Sequence, residues 1–264
     1  MYKYLILLLL GTIISLQSCS DDEDLPINAA FSVEPSFVVE LGQTLPAPGR
    51  FEINFKNKDA FKCSNIEMNS TLTVTDNQLL VDLSDISLNG DCIEGELYLD
   101  NLFEVPTHHE NYDLTINLNK GISHMGAVAI FDDFMEIKLQ SSERLDLAEL
   151  RINKIPAQIS WGYLNKTVDQ SIDIKDEFLM STITSSPNDP RNIFLPLGNY
   201  SHFVVDGDSQ LVSIDGRADF GQAVILDMST DGNWKILQEL LNKAKSQYPN
   251  LEFKFYNSNG LTIE

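Results

Sequence analysis

Basic residues are scarce in this chain. Lys and Arg number 18 against 39 Asp and Glu, for a formal charge of −21, and no Lys/Arg-rich run occurs. A phosphate track needs clustered bases, so nucleic acid is disfavoured as a partner. The same charge repels anionic lipid. Cysteine is rare too: three residues, with no CxxC pair to hold zinc or run redox chemistry. There is no G-x-S-x-G elbow, no phosphate-cradling glycine loop and no dinucleotide fingerprint. Long apolar runs are absent except for Tyr4 to Leu16, which falls short of the roughly 20 residues a spanning helix needs. What is present is 43% hydrophobic and 9% aromatic content, the composition of a folded chain.

The single apolar run follows Lys3 and ends in Leu16-Gln17-Ser18-Cys19. A short basic segment, an apolar core and a small residue before the cut are the parts of a signal peptide. The last four residues resemble the lipobox of bacterial lipoproteins. That resemblance implies cleavage before Cys19, a lipidated Cys19 thiol and attachment to the membrane through lipid alone. Ser20-Asp21-Asp22-Glu23-Asp24 is similar to the surface-export signal of Bacteroidetes-type lipoproteins, which implies the outer membrane and its cell-surface face. The expected division is a signal peptide over 1–18, a lipidated tether over 19–27, and a mature chain of one large or two ordinary domains.

Strand patterns fill the first part of that chain. Phe51, Ile53 and Phe55 alternate with polar neighbours, and Tyr112 to Leu118 alternates most cleanly of all. Further runs at Phe37 to Leu41, Thr71 to Thr75, Leu79 to Leu83, Ile86 to Leu88, Ile93 to Leu99, Met125 to Phe131 and Phe134 to Leu139 are separated by turn residues, with a hairpin over Asp132-Asp133. Many short alternating strands with regular turns point to a sandwich or barrel. The phrase from Leu99 to Leu118 is similar to the closing strands of immunoglobulin-like modules in surface lipoproteins. That resemblance implies an immunoglobulin-like β-sandwich over 28–140. Ser141 to Leu150 reads as a connector.

The expected second domain, 141–264, is smaller and of α+β type. Strand candidates lie at Leu150 to Ile155, Ala157 to Leu164, Ile172 to Ile174, Phe178 to Thr184, Asn192 to Leu195, Tyr200 to Val205 and Leu211 to Ile214, the last two joined by an Asp-Gly hairpin. One helix is expected. Ser229-Thr230-Asp231 supplies capping chemistry, Trp234, Leu237, Leu241, Ala244 and Tyr248 recur at helical spacing, and Pro249 stops the run. Strands at Ala223 to Leu226 and Leu251 to Tyr256 flank it, giving strand–helix–strand. The chain is thus expected to be mostly β.

Candidate chemistry is thin. In an exported protein the lone pair Cys63 and Cys92 reads as a disulfide. Adjacent His108 and His109 point to opposite faces on a strand and follow a proline, so a loop is the better reading than a metal site. Ser201-His202 is a sequence neighbour pair entering a strand, not a catalytic couple. Asp206/Asp208, Asp227/Asp231 and Asp173/Asp176/Glu177 offer oxygens to calcium, without EF-hand spacing. Trp161, Tyr163, Tyr98 and Phe103 are the aromatic candidates for stacking on a glycan, weighed against core packing.

These readings converge on a non-enzymatic binding or scaffolding module, lipid-anchored in the cell envelope, for a glycan or an envelope protein. Such a module is expected to show an exposed apolar or aromatic patch on one sheet. A surface hydrolase predicts a cleft where perturbed carboxylates or histidines converge. A loop-based protease inhibitor predicts a protruding loop such as Pro187 to Pro190.

Overall fold

Strict period-two burial drives the N-terminal half. The computed structural model describes residues 35–147, 150–165, 173–185, 193–228 and 232–264. The signal stretch, Cys19, the tether and the Pro187 to Pro190 loop lie outside the described residues. Strands β1 (Phe37–Gln43) and β2 (Phe51–Asn57) bury every second residue. They pair antiparallel with Val39 opposite Phe55 and Leu41 opposite Ile53, so all their large apolar side chains share one face. β7 (Asp100–Val105) and β11 (Leu145–Leu147) complete a four-stranded sheet in the order β11-β1-β2-β7.

The facing sheet has six strands. These are β4 (Ile66–Thr75), β5 (Gln78–Leu88), β8 (Asn111–Leu118), β9 (Ile122–Ile130), β10 (Phe134–Leu139) and β12 (Arg151–Asn153), in the order β12-β10-β9-β8-β5-β4. Phe37, Phe51 and Phe55 of the first sheet meet Leu79, Val81, Tyr112, Leu114 and Ile137 of the second in one continuous core. Fully burying one such side chain contributes about 1.5–3 kcal/mol. This is a two-sheet β-sandwich. β1 with β11 and β5 with β8 pair in parallel, and the other neighbours are antiparallel. A parallel pair cannot be joined by a tight hairpin. The chain between β5 and β8 therefore leaves the sheet to build β6 (Glu94–Leu97) and β7. β6 pairs with β3 (Phe61–Cys63), and the Cys63–Cys92 disulfide clamps that ribbon with a Cα–Cα distance of 5.2 Å.

Both β11 and β12 lie in sandwich sheets, so the sandwich continues past residue 140 to Asn153. Within the stretch read as a connector, Leu145–Leu147 is strand, because Leu145 fills the core from an edge position.

The C-terminal unit is built around β13 (Ile159–Asn165), which is buried on both faces. Its sheet runs β17-β13-β18-β19, with β17 (Gln222–Asp227), β18 (Glu252–Asn257) and β19 (Thr262–Ile263). β17 and β18 each run antiparallel to β13, hence parallel to one another. Helix α2 (Asn233–Gln247) joins them with β13 lying between, a split strand–helix–strand unit. Gly162 makes this approach possible: a Cβ there would sit 2.4 Å from the Lys254 carbonyl oxygen. Residues 229–231, expected to cap α2, lie outside the described residues, and the capping position is Gly232 at φ 97°.

There are two helices in the described residues, not one. α1 (Ile174–Ser185) occupies the region read as strands at Ile172 to Ile174 and Phe178 to Thr184. Its first turn explains the difference. An Asp173 oxygen accepts the Asp176 amide at 3.1 Å, Asp176 and Glu177 complement the dipole, and Ile174 and Phe178, four apart, are both buried. The β-branched residues of the Ser181 to Thr184 run hid that pattern. Residues 193–195, read as strand, have no regular structure.

Two thin cores flank the central sheet. On one face α1 and α2 pack Phe178, Leu237 and Leu241 against Val224, Phe253 and Phe255. On the other a three-stranded sheet, β14 (Gly198–Asn199), β15 (Phe203–Val205) and β16 (Leu211–Ile214), packs Phe203 and Ile214 against Trp161. That second core also takes Leu45 and Ala47, from the turn between β1 and β2. The turn is pinned where it enters. The Ala47 amide donates to the Ser258 carbonyl at 2.6 Å, the Gln43 amide to Ser201 Oγ at 3.1 Å, and the Ile155 amide to Gln43 Oε1 at 2.8 Å.

Candidate functional site

The seam between sandwich and C-terminal unit holds the chemistry. The turn between β14 and β15 passes through Ser201 at φ 69°, and the turn after β16 passes through Asp215 at φ 48°. Left-handed backbone at a non-glycine residue is uncommon and clusters where a side chain must be aimed. These two turns bring His202 and Asp215 together, with His202 Nδ1 3.6 Å from Asp215 Oδ1. From β18, the Tyr256 hydroxyl donates to Asp215 Oδ2 at 2.5 Å. Trp161 lies beneath, its ring 5.9 Å from Tyr256 and 6.2 Å from His202, both near-parallel.

The electrostatics follow from these contacts. His202, then the Tyr256 hydroxyl, hold the Asp215 carboxyl below the usual carboxylate range against the opposing effect of burial. Glu52 on β2 approaches from the sandwich. Burial first, and Glu104 second, push its carboxyl up, while His202 draws it down. One imidazole is thus flanked by carboxylates from both units. Burial and then Asp215 raise the Tyr256 phenol.

A cleft of about 350 Å³ opens over this cluster, lined by Glu40 and Leu41 of β1 and by Asn199, Ser201, His202 and Asp215 of the C-terminal unit. Three side-chain nitrogens around the seam are buried without a hydrogen-bond partner: Gln43 Nε2, Trp161 Nε1 and His202 Nε2. Such groups in a native fold mark sites completed by water or ligand. The Ser201 hydroxyl accepts the Gln43 backbone amide at 3.1 Å, which ties this turn to β1. The cluster can hold and pass protons and can offer both donors and acceptors to a polar ligand.

The aromatic candidates are not gathered into one platform. Trp161 is wholly buried between the central sheet and β15. Tyr163 stacks on Phe220 at 6.0 Å and accepts Arg217 Nη1 at 3.2 Å. Tyr98 is exposed between β6 and β7, while Phe103 turns inward to meet Phe55 edge-on at 5.9 Å. His108 and His109 do lie in a loop, their rings 4.6 Å apart. Among the described residues no group of three or more His, Cys, Asp or Glu is placed to hold a metal. Asp206 serves its turn, accepting the Asp208 and Gln210 amides at 3.0 and 2.8 Å. Among the described residues no helix is long and apolar enough to cross a membrane.

Sequence reasoning named Ser201 and His202 only to set them aside as neighbours. The partner was Asp215, and its one local signal was the Asp215-Gly216 turn. Tyr256 and Glu52 carried none, because they reach the seam from strands distant in sequence. No known protein family, curated protein or solved structure matches this chain.

Proposed function

We propose that the protein is a lipid-anchored cell-envelope lipoprotein, tethered through Cys19 to the outer membrane at the cell surface, that binds a ligand in the seam cleft without turning it over. The observation that supports it is the cleft itself: hydrogen-bonding side chains from two units around one His202–Asp215–Tyr256 chain, above orphaned buried nitrogens. About 350 Å³ falls in the range of small-molecule sites. A protein partner needs about 800 Å² per side. A short stretch of glycan is therefore the better occupant of this cleft than a protein face. The N-terminal signal supports the anchor, and a Cys19→Ser change should abolish labelling by a radioactive fatty acid.

A hydrolase is the second reading, favoured by the opposite shifts of Glu52 and Asp215 around one histidine. Against it, Tyr256 and His202 occupy both Asp215 oxygens, and Glu52 is not among the residues that line the cleft. The test is a thermal-shift screen of the full chain in detergent against envelope and plant polysaccharides. Ligand at 100 times its Kd adds about 2.7 kcal/mol. The binding reading expects a shift with one polysaccharide, lost in His202→Ala, and no release of reducing ends. Sustained release of reducing ends, abolished by Asp215→Asn, would establish the hydrolase instead.

A further inference from the structure

Phe131 is a large apolar side chain left 48% exposed at the tip of the β9–β10 hairpin, where a polar turn residue is the ordinary choice. Its ring stacks on Phe134 with centroids 4.2 Å apart. The Arg151 guanidinium lies 3.7 Å from the centroid of that same Phe134 ring. At these separations neither group leaves room for the other, so they occupy opposite faces. The result is a column of Arg151, Phe134 and Phe131 that fixes the Phe131 ring in place.

Phe131 lines a cleft of about 340 Å³ with His108, His109, Glu110, Asp132 and Lys154. The walls are held by hydrogen bonds from four backbone amides. The His109 amide donates to the Tyr112 hydroxyl at 3.2 Å, the Ile130 amide to the Glu110 carbonyl at 2.7 Å, the Phe131 amide to the Phe134 carbonyl at 2.8 Å, and the Lys154 amide to the Asp133 carbonyl at 2.8 Å. Buried Tyr112 meets both imidazoles edge-on, at 5.8 and 5.5 Å. The shelf is preorganised, which lowers the ordering cost of binding.

We propose that this cleft at the end of the sandwich is a second ligand site, for a neutral saccharide. The C–H face of a sugar ring stacks on Phe131, and its hydroxyls pair with Glu110 and Asp132 as acceptors and Lys154 as donor. Two acidic residues and one lysine line the cleft, and together with the chain's charge of −21 this turns away polyanions. The site shares no lining residue with the seam cleft and stands whether or not that cleft binds.

The test is calorimetric titration of the full chain in detergent with cellohexaose, xylohexaose, mannohexaose, laminarihexaose and chitohexaose. At least one should bind. Phe131→Ala should weaken that binding at least tenfold with an unchanged melting temperature, and Phe131→Trp should retain it. His202→Ala, in the other cleft, should leave it intact. Absence of binding by all five, or equal binding by Phe131→Ala, overturns the proposal. Loss through His202→Ala alone does so too, assigning the saccharide to the seam.

Discussion

The two halves of the molecule bury their apolar residues differently. The sandwich has one thick core, closed between two sheets, to which β1 and β2 give alternating apolar residues. The C-terminal unit has two thin cores on either side of β13, and one of them is finished by Leu45 and Ala47 of the sandwich. The dependence runs one way. The C-terminal unit leans on the hairpin tip, whereas among the described residues the last apolar side chain of the sandwich core is Ile152. The lesson is that the joint between units is itself core, and the polar cluster beside it is held by packing from both sides.

The largest effect should come from Trp161→Ala. The side chain is fully buried and touches Phe203, so its loss should cost about 3–5 kcal/mol. Amide exchange should rise across 195–263 while the sandwich strands stay protected; equal loss in both halves would break the asymmetry. Reducing Cys63–Cys92, which closes a loop of 29 residues, should cost about 3–4 kcal/mol in the chain-entropy model. Chemical denaturation should then show the sandwich destabilised. Leu45→Ala sharpens the comparison further. Half-buried in the seam, it should cost about 1–2 kcal/mol, with exchange rising first around β14 to β16.

The smallest effects concern pH. Asp215 is held below its ordinary range, so its contribution is present above the unfolded carboxylate value and is lost as pH falls through the folded one. Asp215→Asn should flatten the acid limb of melting curves taken between about pH 5 and 2. Glu52 has the opposite sign. Raised by burial, it favours the fold most below its unfolded value, and that contribution fades as pH rises through the folded one. Glu52→Gln should therefore steady the protein near neutrality. Both groups touch solvent, so each effect stays under about 1 kcal/mol.

The same contrast decides what could be read from the sequence. Strands such as Arg50 to Phe55 and Tyr112 to Leu118 announce themselves because one face is wet and one dry, and the Asp132-Asp133 and Asp206-Gly207 hairpins carry their own turn chemistry. β13 is dry on both faces, so alternation vanishes there. α1 was hidden by β-branched residues, and its helical evidence lay in the Asp173 cap. α2 was legible because its apolar stripe is complete. The site was least legible, since His202, Asp215 and Tyr256 come together from three separate stretches of the C-terminal unit and Glu52 reaches them from the sandwich. Trp161, a natural candidate for a binding surface, is the floor under that cluster.

Hydrogen exchange of the full chain, with and without whichever polysaccharide raises its melting temperature, tests the seam most directly. The account predicts slowed exchange at 199–204 and 213–216, lost in His202→Ala. Slowed exchange confined to other segments, with 199–204 and 213–216 unchanged, would contradict it.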